Sequence, residues 1–270
     1  MQGSSRGALI AAKEAFASTL DSGTDPAALA EDLFGIVGAI DGSAALRRAL
    51  GDPSREGSAK AALVDRLFAG KIGAPALDLL KSVVEQRWSE ERDLSDTTEQ
   101  LAVGAIIAGA ENAGRADQVE DELFRFERLV AATPELRDAL TDRRATPAAK
   151  AQVVQSLLEG KTTPETLRLA RQAVLASRGR RFDRVLDTYQ AIAETRRAQL
   201  AAVVTSAIDL DETQRGRLVA ALRSHYGKAV HLNVVVDPSV IGGIRVQIGD
   251  DVVDGTILRR LEGVRRQLGG

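Results

Sequence analysis

The sequence predicts a mainly α-helical protein that ends in a small α/β unit. Three observations carry that expectation. Apolar residues recur three and four apart through most of residues 1–200, the spacing of one helix face. Runs rich in Val and Ile, one of them strictly alternating, are confined to residues 201–270. In addition, residues 33–84 recur ninety positions later without a gap.

The repeat sets the domain plan. Leu33-Phe34 matches Leu123-Phe124, and Leu46-Arg47-x-Ala49-Leu50-x-Asp52 matches Leu136-Arg137-x-Ala139-Leu140-x-Asp142. Ala59-Lys60-Ala61, Val64, Leu67, Gly70 and Lys71 recur as Ala149-Lys150-Ala151, Val154, Leu157, Gly160 and Lys161. Leu77, Leu79 and Val84 return as Leu167, Leu169 and Val174. This is one helical module used twice, not a long solenoid. The expected domains are a first helical bundle over 1–112, a second over 113–200 sharing a helix near 97–112, and an α/β unit over 201–270.

Capping residues mark the helices. Ser43 and Thr133-Pro134 open one equivalent pair; Ser58 and Thr146-Pro147 open the next, which Gly70 and Gly160 close. Thr163-Pro164-Glu165 starts another helix in the second copy. Ahead of the repeat, Ala8 to Leu20 puts Leu9, Ala12, Phe16 and Leu20 on one face, and Ser22 to Pro26 reads as a loop. A long helix from Asp183 to Leu200 carries the stripe Leu186, Tyr189, Ile192 and Ala193. Short connections of this kind favour antiparallel bundles.

The last unit reads β-α-β-β-β-α. Ala202 to Ala207 is strand-like, and Asp211-Glu212-Thr213 opens a helix running to about Tyr226. Val234-Val235-Val236 stops at Asp237-Pro238, since proline has no N–H for a ladder. Gly242-Gly243 permits positive φ before Ile244, Val246 and Ile248 share one face, with Arg245 and Gln247 on the other. Gly249-Asp250 reads as a tight hairpin. Asp254-Gly255-Thr256 ends the sheet, and Thr256 is placed to cap a final helix from Ile257 to about Leu268.

Composition narrows the function classes. The chain has 270 residues, a net charge of −2 and an aromatic fraction of 3%, a mixed surface with few platforms for stacking bases. It has no cysteine, so no disulfide or thiolate chemistry is available. No apolar run reaches the ~18 residues of a membrane span, and the expected location is cytoplasmic, with any membrane association made through a partner. His225 and His231 lie in no metal-ligand spacing, and Ser206 has no nucleophile elbow around it. Asp121-Glu122 and Glu90-Glu91 read as helix surface or caps, and Trp88 as a partly buried anchor at a helix end. No catalytic, cofactor or metal site is expected. The basic run Arg178-Gly179-Arg180-Arg181 with Arg184 reads as a solvated inter-helix turn, whose alternative is a phosphate or nucleic-acid contact. Gly242-Gly243 leads into a strand rather than a helix, so a structural turn is expected there in preference to a small-ligand loop.

The order β-branched run, Asp237-Pro238, Gly242-Gly243, Ile244 to Ile248, Gly249-Asp250, Asp254-Gly255-Thr256, basic helix closely resembles the C-terminal signature of the delta subunit of F-type ATP synthase. In mitochondria that family is called the oligomycin-sensitivity-conferring protein. A typical member has one six-helix bundle and a small α/β domain, which the second copy plus 201–270 resemble. The first copy is then an added bundle, as in the enlarged actinobacterial form. The resemblance implies a non-catalytic peripheral-stalk subunit without cofactor, one per complex. Such a subunit holds the N-terminal segments of the α subunits with its helices and the end of the b stalk with its α/β domain. It sits peripherally at the cytoplasmic face of the membrane and keeps the head from turning with the rotor. Carried onto this sequence, the α-subunit groove between first and fifth helices involves Ala12, Phe16, Leu80 and Val84 in copy one. In copy two it involves Ile106, Ile107 and Val174. The b-stalk signature comprises Asp237, Pro238, Ile241, Gly242, Gly243, Arg245, Gly249, Asp250, Asp254 and Gly255. The alternative function is a generic helical adaptor or nucleic-acid-binding protein working through the Arg178–Arg184 turn.

Overall fold

The computed structural model describes residues 3–142, 144–176, 178, 180–226, 230–240, 242–248 and 251–255. They divide into two compact units, 1–193 and 194–270. The first is wholly helical and the second holds a four-stranded mixed sheet.

The duplication is visible helix by helix. In copy one, α2 spans Pro26–Gly42, α3 Ala44–Gly51, α4 Gly57–Phe68 and α5 Ala74–Glu85. In copy two, α7 spans Ala116–Ala132, α8 Pro134–Thr141, α9 Pro147–Leu158 and α10 Pro164–Leu175, each displaced by the sequence repeat of ninety. Helix α1 (Ser4–Asp21) precedes the first set, α6 (Glu91–Asn112) joins the two, and α11 (Phe182–Leu200) follows. The expected shared helix over 97–112 is therefore longer at its N-terminal end. Helix α6 packs on α1, α2, α3 and α5 from copy one and on α7 and α10 from copy two. One apolar core runs from Ala8 to Ala193 through both copies. The unit boundary falls within α11.

Most expected caps form. The Ser43 hydroxyl accepts the Leu46 N–H, Thr146 accepts Ala149 N–H and Thr163 accepts Thr166 N–H. Gly70 and Gly160 follow their helices at φ 74° and 70°. Two details differ. Helix α4 begins at Gly57 with Glu56 at its cap position, so Ser58 lies inside the helix. Thr133 stands at the cap of α8, but its side chain makes no capping hydrogen bond, and Pro134 alone marks that start.

A second device, repeated with the module, ties helix starts to neighbouring helices. The Asp32 carboxylate on α2 accepts the Gly73 N–H at the head of α5 (2.8 Å). Ninety positions on, Glu122 on α7 accepts both the N–H and the hydroxyl of Thr163 (2.8 and 2.9 Å) at the head of α10. A carboxylate there satisfies an unpaired donor and complements the helix dipole. Trp88 is fully buried rather than partly so, its indole N–H donating to the Val83 carbonyl (2.9 Å) where α5 turns into α6.

In the second unit, β1 (Ala201–Ser206) follows α11 directly, then come α12 (Glu212–Tyr226), β2 (His231–Val236), β3 (Ile244–Ile248) and β4 (Asp251–Asp254). The sheet order is β2-β1-β3-β4, with β1 parallel to β2 and antiparallel to β3, and β3 antiparallel to β4. Ala202, Val204 and Val246 pack with Leu218 and Leu222 of α12. The expected final helix, Ile257 to Leu268, lies outside the described residues, as does Thr256.

Burial opposes the charged form of Glu122, but the Thr163 N–H and the Thr166, Gln118 and Thr163 side chains outweigh it and hold its pKa below the usual glutamate value. The resulting stabilisation is complete above the unfolded-state value of 4.5 and is lost as pH falls through the lower folded-state value. Glu122→Gln is expected to destabilise the helical unit by about 1 kcal/mol at neutral pH. The gap to wild type should close as pH falls below 4.5, as read from urea midpoints across pH.

Candidate partner-binding site

The signature residues of the second unit have identifiable structural work. Asp237 extends the sheet by donating its N–H to the Ser206 carbonyl (2.8 Å), after which Pro238 ends the ladder. The Asp237 carboxylate accepts the N–H and hydroxyl of Ser239 (2.9 and 2.7 Å), closing an Asx turn and lowering its pKa. Gly242 and Gly243 both take positive φ (67° and 82°), a conformation side chains resist, and set the entry to β3. Gly255 returns its N–H to the Ile244 carbonyl (3.0 Å), which locks the end of β4 against the start of β3. Ile241, Gly249 and Asp250 lie outside the described residues.

These elements leave one sheet face away from α12. The register places Thr205, Val235, Arg245, Gln247, Val252 and Asp254 there. Val235 and Val252 are exposed on it. Gly242-Gly243 is a turn into a strand, as expected from the sequence. Ser206 is buried at the end of β1 and contributes its carbonyl to the sheet. Among the described residues, no group of His, Asp or Glu could hold a metal ion.

All seven groove residues are core residues in the free chain. Ala12 and Phe16 of α1 lie with Leu80 and Val84 of α5, two helices in contact. Ile106 and Ile107 of α6 lie with Val174 of α10, likewise in contact. Their exposures run from 0 to 6%, so they form the floor between the helices and present almost no surface of their own.

The basic turn differs most from its sequence reading. Arg178 and Arg180 are folded inward onto Glu99 of α6, which is 2% exposed. Arg180 meets Glu99 at 2.7 Å, Arg178 also reaches Asp96 (3.1 Å) and Asp41 (3.5 Å), and the buried Tyr189 hydroxyl donates to the other Glu99 oxygen (2.8 Å). Arg178 adopts φ 49° to do this. The turn is thus only partly solvated: these two guanidiniums are turned inward and committed to carboxylates, which removes them from a phosphate-reading surface. Arg181 and Arg184 stay exposed, each beside an aspartate. Burial raises the Tyr189 pKa, so it serves here as a neutral donor.

Two contacts escaped the sequence reading. Glu99 is one; its partners Arg178, Arg180 and Tyr189 lie 79, 81 and 90 residues away, beyond the reach of local spacing. The other is Arg168 of α10, whose guanidinium lies 4.3 Å from the Phe34 ring centre and pairs with Glu31 of α2 at 2.5 and 3.1 Å. No local spacing signals a pair 137 residues apart.

The geometry defines a helical scaffold made from one module used twice, followed in sequence by an α/β unit. Residues 103–268 match the family described as ATP synthase delta (OSCP) subunit. Three relatives named ATP synthase subunit delta span the whole chain. That of Kineococcus radiotolerans is 47% identical over 269 residues, covering 99% of this chain and 98% of its own. That of Streptomyces avermitilis is 47% identical over 267 residues, 98% of each. That of Streptomyces griseus is 45% identical over 271 residues, 100% of each. The chain belongs to the ATP synthase delta (OSCP) subunit family, in its long form. The family match begins inside α6, so it covers the second copy and the α/β unit, while the long relatives cover the first copy too.

Glu99→Ala leaves two inward-facing arginines without their shared carboxylate and is expected to cost about 3 kcal/mol, measured by urea unfolding. Random duplex DNA is expected to bind weakly, without a steep loss of affinity between about 50 and 200 mM salt in fluorescence anisotropy.

Proposed function

We propose that this chain is a non-catalytic peripheral-stalk subunit of an F-type ATP synthase. Its helical part, two bundles over 1–112 and 113–200 that share α6, engages N-terminal segments of the α subunits. The α/β part, 201–270, engages the b stalk. One chain would serve each complex, held at the cytoplasmic face of the membrane through its partners. The observation that carries this reading is end-to-end similarity, 47% over 269 residues, to a chain named ATP synthase subunit delta. The architecture supports it: two units, each with its own core, joined in one chain. Joining two modest interfaces raises the effective concentration of the second once the first is made. Among the described residues no helix is long and apolar enough to cross a membrane, so attachment through partners fits.

Because the seven groove residues are core in the free chain, an amphipathic α-subunit helix would lie over them and touch their half-buried neighbours. Alternatively the helices part slightly to admit it. Arg245 and the exposed valines of the outer sheet face would meet b.

The test is size-exclusion chromatography with light scattering, mixing the full chain with a catalytic head stripped of its own delta subunit. Saturable co-elution at one chain per head is expected, and trimming the α N-terminal segments should abolish it. A head that never retains the chain, even with a soluble b fragment present, would remove the stator reading.

A further inference from the structure

We infer that the exposed face of α7 around Phe124 is a docking surface for an arginine-bearing amphipathic helix of another polypeptide. The inference rests on the stator reading, which supplies the complex that holds the partner.

Copy one shows how this face is covered when a neighbour is present. On α2, Phe34 is buried beneath the Arg168 guanidinium while Glu31 holds that guanidinium through two nitrogens. The aromatic face and the carboxylate together form a seat for a planar cation. Ninety positions later stand Asp121 and Phe124 on α7, the same chemistry at the same helix positions. There Phe124 is 53% exposed. Asp121 meanwhile pairs with Arg125 of its own helix, an exposed i,i+4 contact that an incoming arginine can replace at little cost.

A second observation extends the seat along the same helix. Glu127 and Ala131, three and seven residues beyond Phe124, border a cavity of about 260 Å³ lined with Val130, Leu140, Thr141 and Phe182, and also with the charged Arg137, Arg181 and Asp183. In copy one the residue equivalent to Thr141 is Gly51, where an added Cβ would come within 2.9 Å of the Glu91 backbone. Glycine lets α3 close onto α6; threonine cannot approach α11 so closely. The occupant that fits is a helix with an arginine for Phe124 and Asp121. One or two turns away it needs a large apolar side chain for the cavity. Arg168, the arginine that fills the seat on Phe34, is itself held by Glu31 and Gln172, so the seat on α7 calls for a different arginine, which we assign to another polypeptide.

The test places p-benzoylphenylalanine at position 124 of the full chain, assembles it with the delta-depleted complex, irradiates, and sequences the cross-linked peptide. Titrations of Phe124→Ala, Phe124→Tyr and Asp121→Lys run alongside. A single cross-linked segment with Arg or Lys within one turn is expected. So is a loss of about tenfold in affinity for Phe124→Ala and Asp121→Lys, retained binding for Phe124→Tyr, and unchanged unfolding midpoints. Equal affinity of Phe124→Ala and wild type overturns the inference while leaving the stator reading intact. So does a cross-link only to a second copy of this chain, or to a segment without a cation. Failure of the wild-type chain itself to assemble overturns the stator reading and this inference with it.

Discussion

Helix α6 has to satisfy two bundles at once, and the rest of the helical unit is arranged around that demand. It is buried along most of its length, from Leu94 to Ala110, with helices of copy one against one side and α7 and α10 against the other. Over Leu101–Ala110 it is accordingly apolar all round, while its earlier turns bury Ser95, Thr97, Thr98 and Glu99. It must also be slim, because its neighbours approach from several directions. Ala102, Gly104, Ala105, Ala108 and Ala110 meet that requirement, and Val103, Ile106 and Ile107 fill the wider gaps.

Just ahead of that apolar stretch α6 buries Glu99, and a buried carboxylate is unfavourable unless it is paired and hydrogen-bonded. Arg178, Arg180 and the Tyr189 hydroxyl supply the compensation. Those partners come from the α10–α11 turn and from α11, so the charge on α6 fixes where copy two's last helix begins. Copy one solves the same turn differently. At the position equivalent to Arg178 it has Trp88, fully buried with its N–H on Val83. One turn is fixed by apolar burial and the other by a shared carboxylate, which explains why the turn is common to both copies while its charge is not.

The fold was legible because its main signals are local. The repeat, the caps at Ser43, Thr146 and Thr163, and the Val/Ile alternation of β3 each act within a few residues of where they are read. The extent of α6 was less so, since residues 91–96 are polar and gain helical partners only from packing. Burial was the hardest part. Periodicity identified Ala12, Phe16, Leu80, Val84, Ile106, Ile107 and Val174 as one face, but a face turned to the core and a face turned to a partner share the same pattern. The inward fold of Arg178 and Arg180 was illegible because their carboxylate lies on α6, far away in sequence.

The continuity of the core bears on the stator role proposed above. Two bundles linked like beads would turn about their junction under torque and store little of it. Here the junction is α6 itself, with no flexible linker at which to bend, and Arg168 stitches α10 to α2 across the copies as well. Deforming one bundle against the other would expose the apolar length of α6 and separate Glu99 from its arginines, and packed interiors yield little to such strain. Adding a second module by sharing a helix therefore enlarges the helical unit without adding a separate linker between the copies, as the proposed role would require.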